Sequence, residues 1–314
     1  MKLLMSRALP DSVMAEAARS FDVTCRETTQ PMSLEECRAA LADADVILPT
    51  LGDAFIADAF TGAIRARGLA NFGVGYNHID VGAAQAAGLV VTNTPGAVTD
   101  ATADTAMTLI LMTARRAGEG ERLVRAGDWQ GWHPTQMLGM HVTGKTVGIL
   151  GMGRIGQAIA RRSHHGFGMQ VVFWNRSPRH VDGARQMQSV AEVCAVADIV
   201  VMAVAATTET HHLMNAEALS AMRPHAILVN IARGDVVDEA ALIAALDAGQ
   251  ITGAGLDVYE REPHVPDALK AMENVTLLPH LGTATLEVRE AMGRMALDNA
   301  IAIAEGRAPP NPVP

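Results

Sequence analysis

Apolar and polar positions vary along the chain in a pattern that predicts strands and helices in turn. Short apolar runs, several rich in β-branched residues, are separated by longer segments typical of helices. This alternation is characteristic of chains that form a parallel sheet covered on both faces. Ser33-Leu-Glu-Glu36 has the spacing of a capping box and predicts the start of one helix. The first series of predicted strands comprises residues 2–5, 21–25, 45–49, 68–74 and 90–93.

A second series of strands begins near the middle of the chain and predicts a Rossmann sheet. Helices at residues 100–116 and 119–126 precede it, and a last helix at 286–305 is long enough to return to the first sheet. The fold class is therefore α/β, with two doubly wound parallel sheets. The six predicted strands of the second sheet comprise residues 146–150, 170–174, 198–204, 226–230, 252–257 and 275–278.

A glycine-rich turn joins the first strand and the first helix of this second series. Gly151, Gly153 and Gly156 have G-x-G-x-x-G spacing, and the helix follows them directly. Such a turn lets a pyrophosphate approach the backbone at a helix N-terminus, so it predicts a dinucleotide site. A tight strand–helix turn that binds no ligand is the alternative.

The segment Asn175-Arg-Ser177, after the next predicted strand, bears on which dinucleotide binds. An acidic residue about 20 residues past the glycines accepts hydrogen bonds from the ribose of NAD and repels a 2′-phosphate. Arg176 stands there in place of an acid, and Asn175 and Ser177 offer hydrogen bonds. The loop therefore favours NADP(H) over NAD(H). An ordinary exposed loop with an indifferent cofactor choice is the alternative.

Ionisable residues follow the last three predicted strands. Arg233 comes after the fourth strand of the series, the acidic segment 257–263 after the fifth and His280 after the sixth. The carboxyl ends of parallel strands meet at one edge of a sheet, where ligands bind. Arginine can hold a carboxylate, histidine can protonate an alkoxide, and a carboxylate can orient the imidazole. Together they predict hydride transfer to a 2-keto acid, although each residue alone also fits an ordinary surface role.

The composition of the chain limits which partners the protein can bind and where in the cell it is expected. The chain has 314 residues and a net charge of −9 without a long run of one sign, which argues against nucleic-acid and anionic-membrane binding. Its three scattered cysteines indicate neither a disulfide framework nor a zinc site. No carboxylate or thiol completes a ligand set near the histidines at 164–165, 180 and 211–212, so no metal is expected. Without a signal peptide or an apolar span, the protein is expected to be soluble and cytoplasmic.

In their order along the chain, these motifs resemble those of the D-isomer-specific 2-hydroxyacid dehydrogenases, and within them the glyoxylate/hydroxypyruvate reductase branch. The resemblance covers nearly the whole chain. The segments that carry it are 73–80 (GVGYNHID), 93–96 (NTPG), 144–156 (GKTVGILGMGRIG), 227–234 (ILVNIARG), 254–263 (AGLDVYEREP) and 278–284 (LPHLGTA).

This resemblance implies a topology and an assembly. A Rossmann coenzyme domain of residues 98–286 would be inserted in a flavodoxin-like substrate domain of residues 1–97 and 287–314, with a cleft between the two domains. The resemblance also implies a homodimer built around the coenzyme domains. Trp132 would then reach into the active site of the other subunit, although plain interface packing suits this residue as well.

The resemblance also implies the roles of individual residues. Arg233, Glu262 and His280 match the catalytic triad, and Asp257 matches the residue that meets the nicotinamide amide. The implied cofactor-binding residues are Gly151, Gly153, Arg154, Ile155, Gly156, Asn175, Arg176, Ser177, Ile231, Ala232, Arg233, Asp257, His280 and Gly282. The implied substrate-binding residues are Leu51, Val74, Gly75, Arg233 and Trp132, the last acting from the other subunit.

These features predict a reductase of small 2-keto acids, glyoxylate and hydroxypyruvate above all, with His280 as the general acid. NADP(H) is the preferred cofactor and NAD(H) a second one. The loop Thr50-Leu-Gly-Asp53 carries no basic residue, which disfavours a phosphorylated substrate. One alternative is a dehydrogenase of bulkier D-2-hydroxy acids, in which Leu51 helps to set the pocket size. The other is a cofactor-sensing, corepressor-like scaffold.

Overall fold

The computed structural model describes residues 1–314, which divide into two compact units. Unit 1 consists of Met1–Val98 and Ala284–Pro314, and unit 2 consists of Thr99–Thr283. Each unit is built on one parallel sheet. None of the helices combines the length and the apolar character needed to span a bilayer.

Unit 1 contains a five-stranded sheet whose strand order is that of flavodoxin-like folds. All its strands are parallel, in the order β2-β1-β3-β4-β5. The predicted capping box is confirmed, because Ser33 Oγ accepts from Glu36 N–H and Glu36 Oε2 accepts from Ser33 N–H. The strands are β1 (Lys2–Met5), β2 (Asp22–Cys25), β3 (Val46–Leu48), β4 (Gly68–Ala70) and β5 (Val90–Thr92), and the helices are α1 (Asp11–Ser20), α2 (Leu34–Asp43) and α3 (Val81–Ala86).

Unit 2 contains a seven-stranded parallel sheet in the order β12-β11-β10-β9-β6-β7-β8. Its central part has the Rossmann order, with the strand before the glycine turn lying at the point where the order reverses. The strands are β6 (Thr146–Leu150), β7 (Gln170–Trp174), β8 (Ala184–Gln186), β9 (Ile199–Met202), β10 (Ile227–Asn230), β11 (Gly253–Leu256) and β12 (Val275–Leu277). The helices are α4 (Thr99–Ala114), α5 (Ala117–Ala126), α6 (Arg154–Arg161), α7 (Val190–Val196), α8 (Ala216–Ser220), α9 (Glu239–Asp247) and α10 (Asp267–Ala271).

The prediction of six strands in this sheet is wrong by one, because β8 was missed. This strand is only three residues long, Ala-Arg-Gln, and none of them is buried. It pairs on one side only, with β7, and so forms an edge of the sheet. Strands are predicted from the alternation of apolar and polar residues. A short polar edge strand lacks this alternation, so no pattern indicates it.

Both faces of the unit 2 sheet are buried under helices. Along β6 the side chains alternate, as they must in a strand. Leu150 belongs to the same buried cluster as Val193 of α7 and Leu242 of α9, whereas Ile149 belongs to the cluster that contains residues of α4 and α6. The continuous apolar character of the strands therefore follows from burial on two sides.

Gly156 allows α6 to pack directly against the strand and turn before it. A Cβ at this position would lie 2.1 Å from the carbonyl oxygen of Gly151. We therefore expect Gly156→Ala to lower the free energy of unfolding by about 1–3 kcal/mol, although alanine favours helices. Chemical denaturation measures this loss.

Gly153→Ala provides the matched control for this substitution. A Cβ on Gly153 would meet no atom within 4 Å, and its φ of −76° suits any residue. We expect its free energy of unfolding to stay within about 1 kcal/mol of wild type. Equal losses in the two variants would contradict the close approach at Gly156.

The last helix, α11 (Leu286–Ala304), belongs to unit 1. Buried Asn299 on this helix donates to Asn93 O and accepts from Asn311 N–H at 3.1 Å. The tail then returns to β5, where Val313 N–H donates to Val91 O. Side-chain amides and one short bridge, between Thr92 and Pro312, thus fix the C-terminal segment to the edge of this sheet at β5.

Candidate active site

Glu262 and His280 form a hydrogen-bonded pair beyond the carboxyl ends of β11 and β12. Glu262 Oε2 lies 2.8 Å from His280 Nδ1, and Oε1 accepts from the N–H of Tyr259 at 3.1 Å. Because an ionised carboxylate only accepts hydrogen bonds, Nδ1 carries a proton and Nε2 is left for another group. The two side chains keep 27% and 30% exposure, so solvent or a ligand can reach them.

Arg233 lies close enough to this pair to act on its charge. Burial by itself raises the pKa of Glu262, but the hydrogen bond and charge of His280, the Tyr259 N–H and the charge of Arg233 together hold it below its usual range. Burial lowers the pKa of Arg233, and the negative charges of Glu262 and Asp235 partly offset this by raising it. The structure thus brings the three predicted catalytic residues together in unit 2.

The turn after β10 presents Arg233 through two specific contacts. Asn230 ties the turn together, because its side chain accepts from Ala232 N–H at 3.0 Å and donates to Arg233 O at 2.8 Å. Gly234 packs against the next loop so tightly that a Cβ there would lie 1.8 Å from the carbonyl carbon of Tyr259. The arginine turn and the loop that carries Glu262 therefore lie backbone to backbone.

Asp257 holds the loop that carries His280. Its carboxylate, in a residue that is 1% exposed, accepts from Leu281 N–H at 2.6 Å and from Gly282 N–H at 2.8 Å. His280 has a φ of 55°, in the left-handed region that non-glycine residues enter rarely. Its own N–H donates to Asp257 O. The family resemblance implies a cofactor role for Asp257, and no sequence pattern indicates this structural one.

The glycine turn leaves room for an anionic group at the start of α6. Gln157 N–H makes the first helical bond, to Gly153 O, so the N–H groups of Arg154, Ile155 and Gly156 have no intrahelical acceptor. The space over Gly153 is open. Free donors beside open space suit a pyrophosphate, so the residues present fit a bound dinucleotide.

The loop after β7 is held by its own polar residues. Asn175 Oδ1 accepts from Met152 N–H at 3.1 Å, and Nδ2 donates to Ser177 O at 2.9 Å. Arg176 Nη1 lies 2.6 Å from Glu209 Oε2, and both side chains are exposed. Sequence analysis did not detect this ion pair, because Glu209 belongs to the loop after β9. The two other predicted cofactor residues of the turn after β10, Ile231 and Ala232, are buried.

Val74 and Gly75 lie in unit 1, in the loop after β4. Asn93 Nδ2 donates to Val74 O at 2.9 Å, and Asn71 Nδ2 donates to Gly75 O at 3.1 Å. These bonds fix the carbonyl groups, whereas the N–H groups of Val74 and Gly75 have no acceptor in the protein. Two adjacent free donors of this kind suit a carboxylate.

A cation reaches the loop that contains Leu51. Arg7, which follows β1, donates from Nη1 to Leu51 O at 3.1 Å, contacts Thr50 Oγ1 and lies 3.6 Å from Asp53 Oδ1. The loop itself carries no basic residue, but a cation from another loop meets it. The loops after two neighbouring parallel strands lie at one edge of the sheet, which brings Arg7 to this loop.

His212 also has neighbours that the sequence did not reveal. Its Nε2 lies 2.9 Å from Glu260 Oε1 and its Nδ1 lies 3.9 Å from Asp238 Oδ2. The ligand atoms of these three residues are close enough to hold a metal ion. However, the two ring nitrogens face different carboxylates, so the imidazole bridges them. The expectation that no carboxylate completes a ligand set near this histidine pair is therefore wrong.

Trp132 lies in the loop after α5, on an exposed apolar surface of unit 2. Helix α5 has no buried residue. The members of this α5 surface, with their exposed fractions, are Val124 (60%), Trp129 (52%), Trp132 (79%) and Leu138 (69%). A cavity of about 440 Å³ borders it, lined in part by Leu138 and Arg122, and contains none of the predicted site residues.

Comparisons with known proteins agree with this arrangement. The family described as "D-isomer specific 2-hydroxyacid dehydrogenase, NAD binding domain" matches residues 107–282. The glyoxylate reductase of Pyrococcus furiosus is 42% identical over 98% of this chain and 94% of its own length. The glyoxylate reductase of Thermococcus kodakarensis is also 42% identical, over 98% of this chain and 95% of its own length.

A solved structure is similar over nearly the whole fold. The NADPH-dependent glyoxylate/hydroxypyruvate reductase of Sinorhizobium meliloti, in complex with NADP and malonate, aligns with a TM-score of 0.89 and 36% identity. The alignment covers 99% of this chain and 96% of that one. The chain therefore belongs to the D-isomer-specific 2-hydroxyacid dehydrogenase family and is a nicotinamide-dependent oxidoreductase.

Proposed function

We propose that this protein reduces small 2-keto acids, glyoxylate and hydroxypyruvate above all, to the corresponding 2-hydroxy acids. The observation that carries the proposal is the Glu262–His280 hydrogen bond with Arg233 beside it. Such a set provides a proton donor, a group that orients it and a cation for the substrate carboxylate. The names of the relatives indicate the substrates.

In this proposal unit 2 is the coenzyme domain and unit 1 is the substrate domain. The glycine turn, the start of α6 and the segment Asn175–Ser177 would hold the dinucleotide, and Asp257 would meet the nicotinamide amide. The N–H groups of Val74 and Gly75 would receive the substrate carboxylate, with Leu51 setting the width of the pocket. The free donors of both turns support these roles.

The catalytic step divides among three side chains. Arg233 holds the substrate carboxylate and polarises the ketone oxygen. When bound, the reduced nicotinamide supplies the hydride. His280 donates a proton from Nε2 to the oxygen as it becomes an alkoxide, and Glu262, bonded to Nδ1, keeps the ring oriented and stabilises its charged form.

A turnover assay tests the proposal directly. Protein, NADPH and either glyoxylate or hydroxypyruvate are mixed, and the absorbance of the reduced cofactor is followed. We expect consumption of NADPH with both acids and a lower rate with phenylpyruvate, which represents the bulkier substrates. A higher rate with phenylpyruvate would favour the bulkier D-2-hydroxy acids. An absence of turnover with all three would favour the corepressor-like scaffold.

NADP(H) is the proposed preferred cofactor, because Arg176 follows β7 where an acid would repel a 2′-phosphate. Arg176→Ala is expected to raise KM for NADPH about tenfold, the usual effect of losing a charged hydrogen bond, and to leave KM for NADH within about twofold. Steady-state kinetics with both cofactors measure this.

Arg185→Ala is the control for general loss of positive charge, because Arg185 is an exposed arginine on the neighbouring strand β8. We expect it to change neither KM value by more than about twofold. Equal losses with NADPH and NADH in the Arg176 variant would contradict a contact with the 2′-phosphate.

A homodimer is the proposed assembly, and the α5 surface supports it. Four large apolar side chains exposed on one helix and its loop are typical of an interface. Trp132 of this surface would contact the active site of the other subunit. Light scattering of the purified protein tests the stoichiometry. Location in the cytoplasm stays a prediction from sequence.

A further inference from the structure

Arg176 and Glu209 face each other across the glycine turn of unit 2. In the sheet, β6 lies between β9 and β7, so the loops after β9 and β7 flank the turn that follows β6. Arg176 comes from the loop after β7 and Glu209 from the loop after β9, and their side chains meet at 2.6 Å. The pair therefore lies where the adenosine end of a dinucleotide would bind.

Both backbones that present these side chains are braced by hydrogen bonds. Thr210 Oγ1 accepts from Thr207 N–H at 2.9 Å and donates to Ala205 O at 2.6 Å. On the other side, Gln186 Nε2 on β8 donates to the carbonyls of Asn175 and Ser177. The two loops thus place the Glu209 carboxylate and the Arg176 guanidinium opposite each other. The side chains themselves remain 65% exposed for Glu209 and 78% exposed for Arg176.

An exposed ion pair of this kind contributes little to folding, but it has a clear consequence for a ligand. A 2′-phosphate carries a charge of about −1.5 to −2 at neutral pH and needs the guanidinium that Glu209 now contacts. The phosphate must therefore displace the carboxylate and remain near it. A 2′-hydroxyl has no charge, leaves the ion pair intact and can donate to Glu209.

We propose that Glu209 determines the choice between the two cofactors by competing with the 2′-phosphate for Arg176. It supplies, from the loop after β9, the acid that is absent at the end of β7. The protein then accepts NADH as well as NADPH because one loop favours each. This inference rests on the proposed dinucleotide site but not on the identity of the keto acid.

The test compares the binding of adenosine 2′,5′-bisphosphate and AMP to the purified protein by calorimetry. The variant is Glu209→Gln, which keeps the size of the side chain and removes its charge. We expect the affinity ratio of the bisphosphate over AMP to rise roughly three- to tenfold. The rise should shrink at about 0.5 M salt, because exposed charges are screened there. KM for NADPH should fall as well.

Glu305→Gln is the matched control. Glu305 pairs with Arg307 as another exposed Glu–Arg pair, in unit 1, and we expect it to leave the affinity ratio unchanged. A ratio that stays constant or falls in the Glu209 variant overturns the proposal. Calorimetry measures binding and needs no turnover. The two affinities can therefore be compared even if the protein does not reduce glyoxylate. Binding of neither nucleotide by wild type overturns both this proposal and the dinucleotide site.

Discussion

Replacing His280 with asparagine is expected to lower kcat/KM for glyoxylate about 100-fold or more, the usual effect of removing a general acid. His280 Nδ1 is bonded to Glu262, so in the proposed mechanism Nε2 is the atom that would deliver the proton. Asparagine is chosen because the backbone φ of 55° lies in a region that it enters more easily than alanine does. The absorbance of NADPH gives the rate, and thermal unfolding checks the fold.

His264→Asn is the control for the His280 variant, because His264 is an exposed histidine on the loop that follows Glu262. We expect the activity of this control to stay within about twofold of wild type. If the His280 variant kept a wild-type rate with an unchanged melting temperature, His280 would not be the proton donor.

Arg233→Gln is expected to lower kcat/KM by about 100- to 1,000-fold, the range seen when a donor to a developing oxyanion is lost. Glutamine keeps hydrogen-bond donors but not the charge or the planar fork that matches a carboxylate. Arg233→Lys keeps the charge alone, so we expect it to recover only part of the loss. Kinetics across a range of glyoxylate concentrations separate KM from kcat.

The pH dependence of the Arg233 variant provides a second readout. The charge of Arg233 is one cause of the lowered pKa of Glu262. Without that charge Glu262 takes up a proton at a higher pH than in wild type, so activity is lost at a higher pH on the acid side. Arg261→Gln, on an exposed arginine of the same loop as Glu262, should leave the profile unchanged. An acid limb at the wild-type pH would contradict the coupling of Arg233 with Glu262.

Much of the fold could be predicted because its signals are local. The apolar runs of β6, β9 and β10 are buried on both faces, and such burial leaves a direct trace in the sequence. The shorter strand β4 ends at Ala70, earlier than the predicted residue 74. Beyond it, Phe72 N–H still donates to Pro49 O and Thr94 N–H to Gly73 O, while the side-chain amide of Asn71 donates to the carbonyls of Gly73 and Gly75. No apolar pattern records such bonds.

The candidate site was predictable to the level of a sheet edge. Arg233, Glu262 and His280 each follow a strand of the same parallel sheet, so the topology alone brings them to one edge. The choice of Glu262 over Glu260 rested on the family resemblance. The structure supplies a physical difference, because Glu262 bonds His280 whereas Glu260 bonds His212.

The α/β class, the glycine turn and the ionisable residues at strand ends could all be predicted from the amino-acid pattern, because each depends on neighbours within one or two elements. Which side chains pair with each other depends on the tertiary fold. Glu209 meets Arg176 across 33 residues, and Arg7 meets Leu51 across 44. Such contacts depend on the order of the strands in the sheet and on how far each loop reaches. Strand order brings distant loops together, and the sequence pattern of a single loop does not contain it.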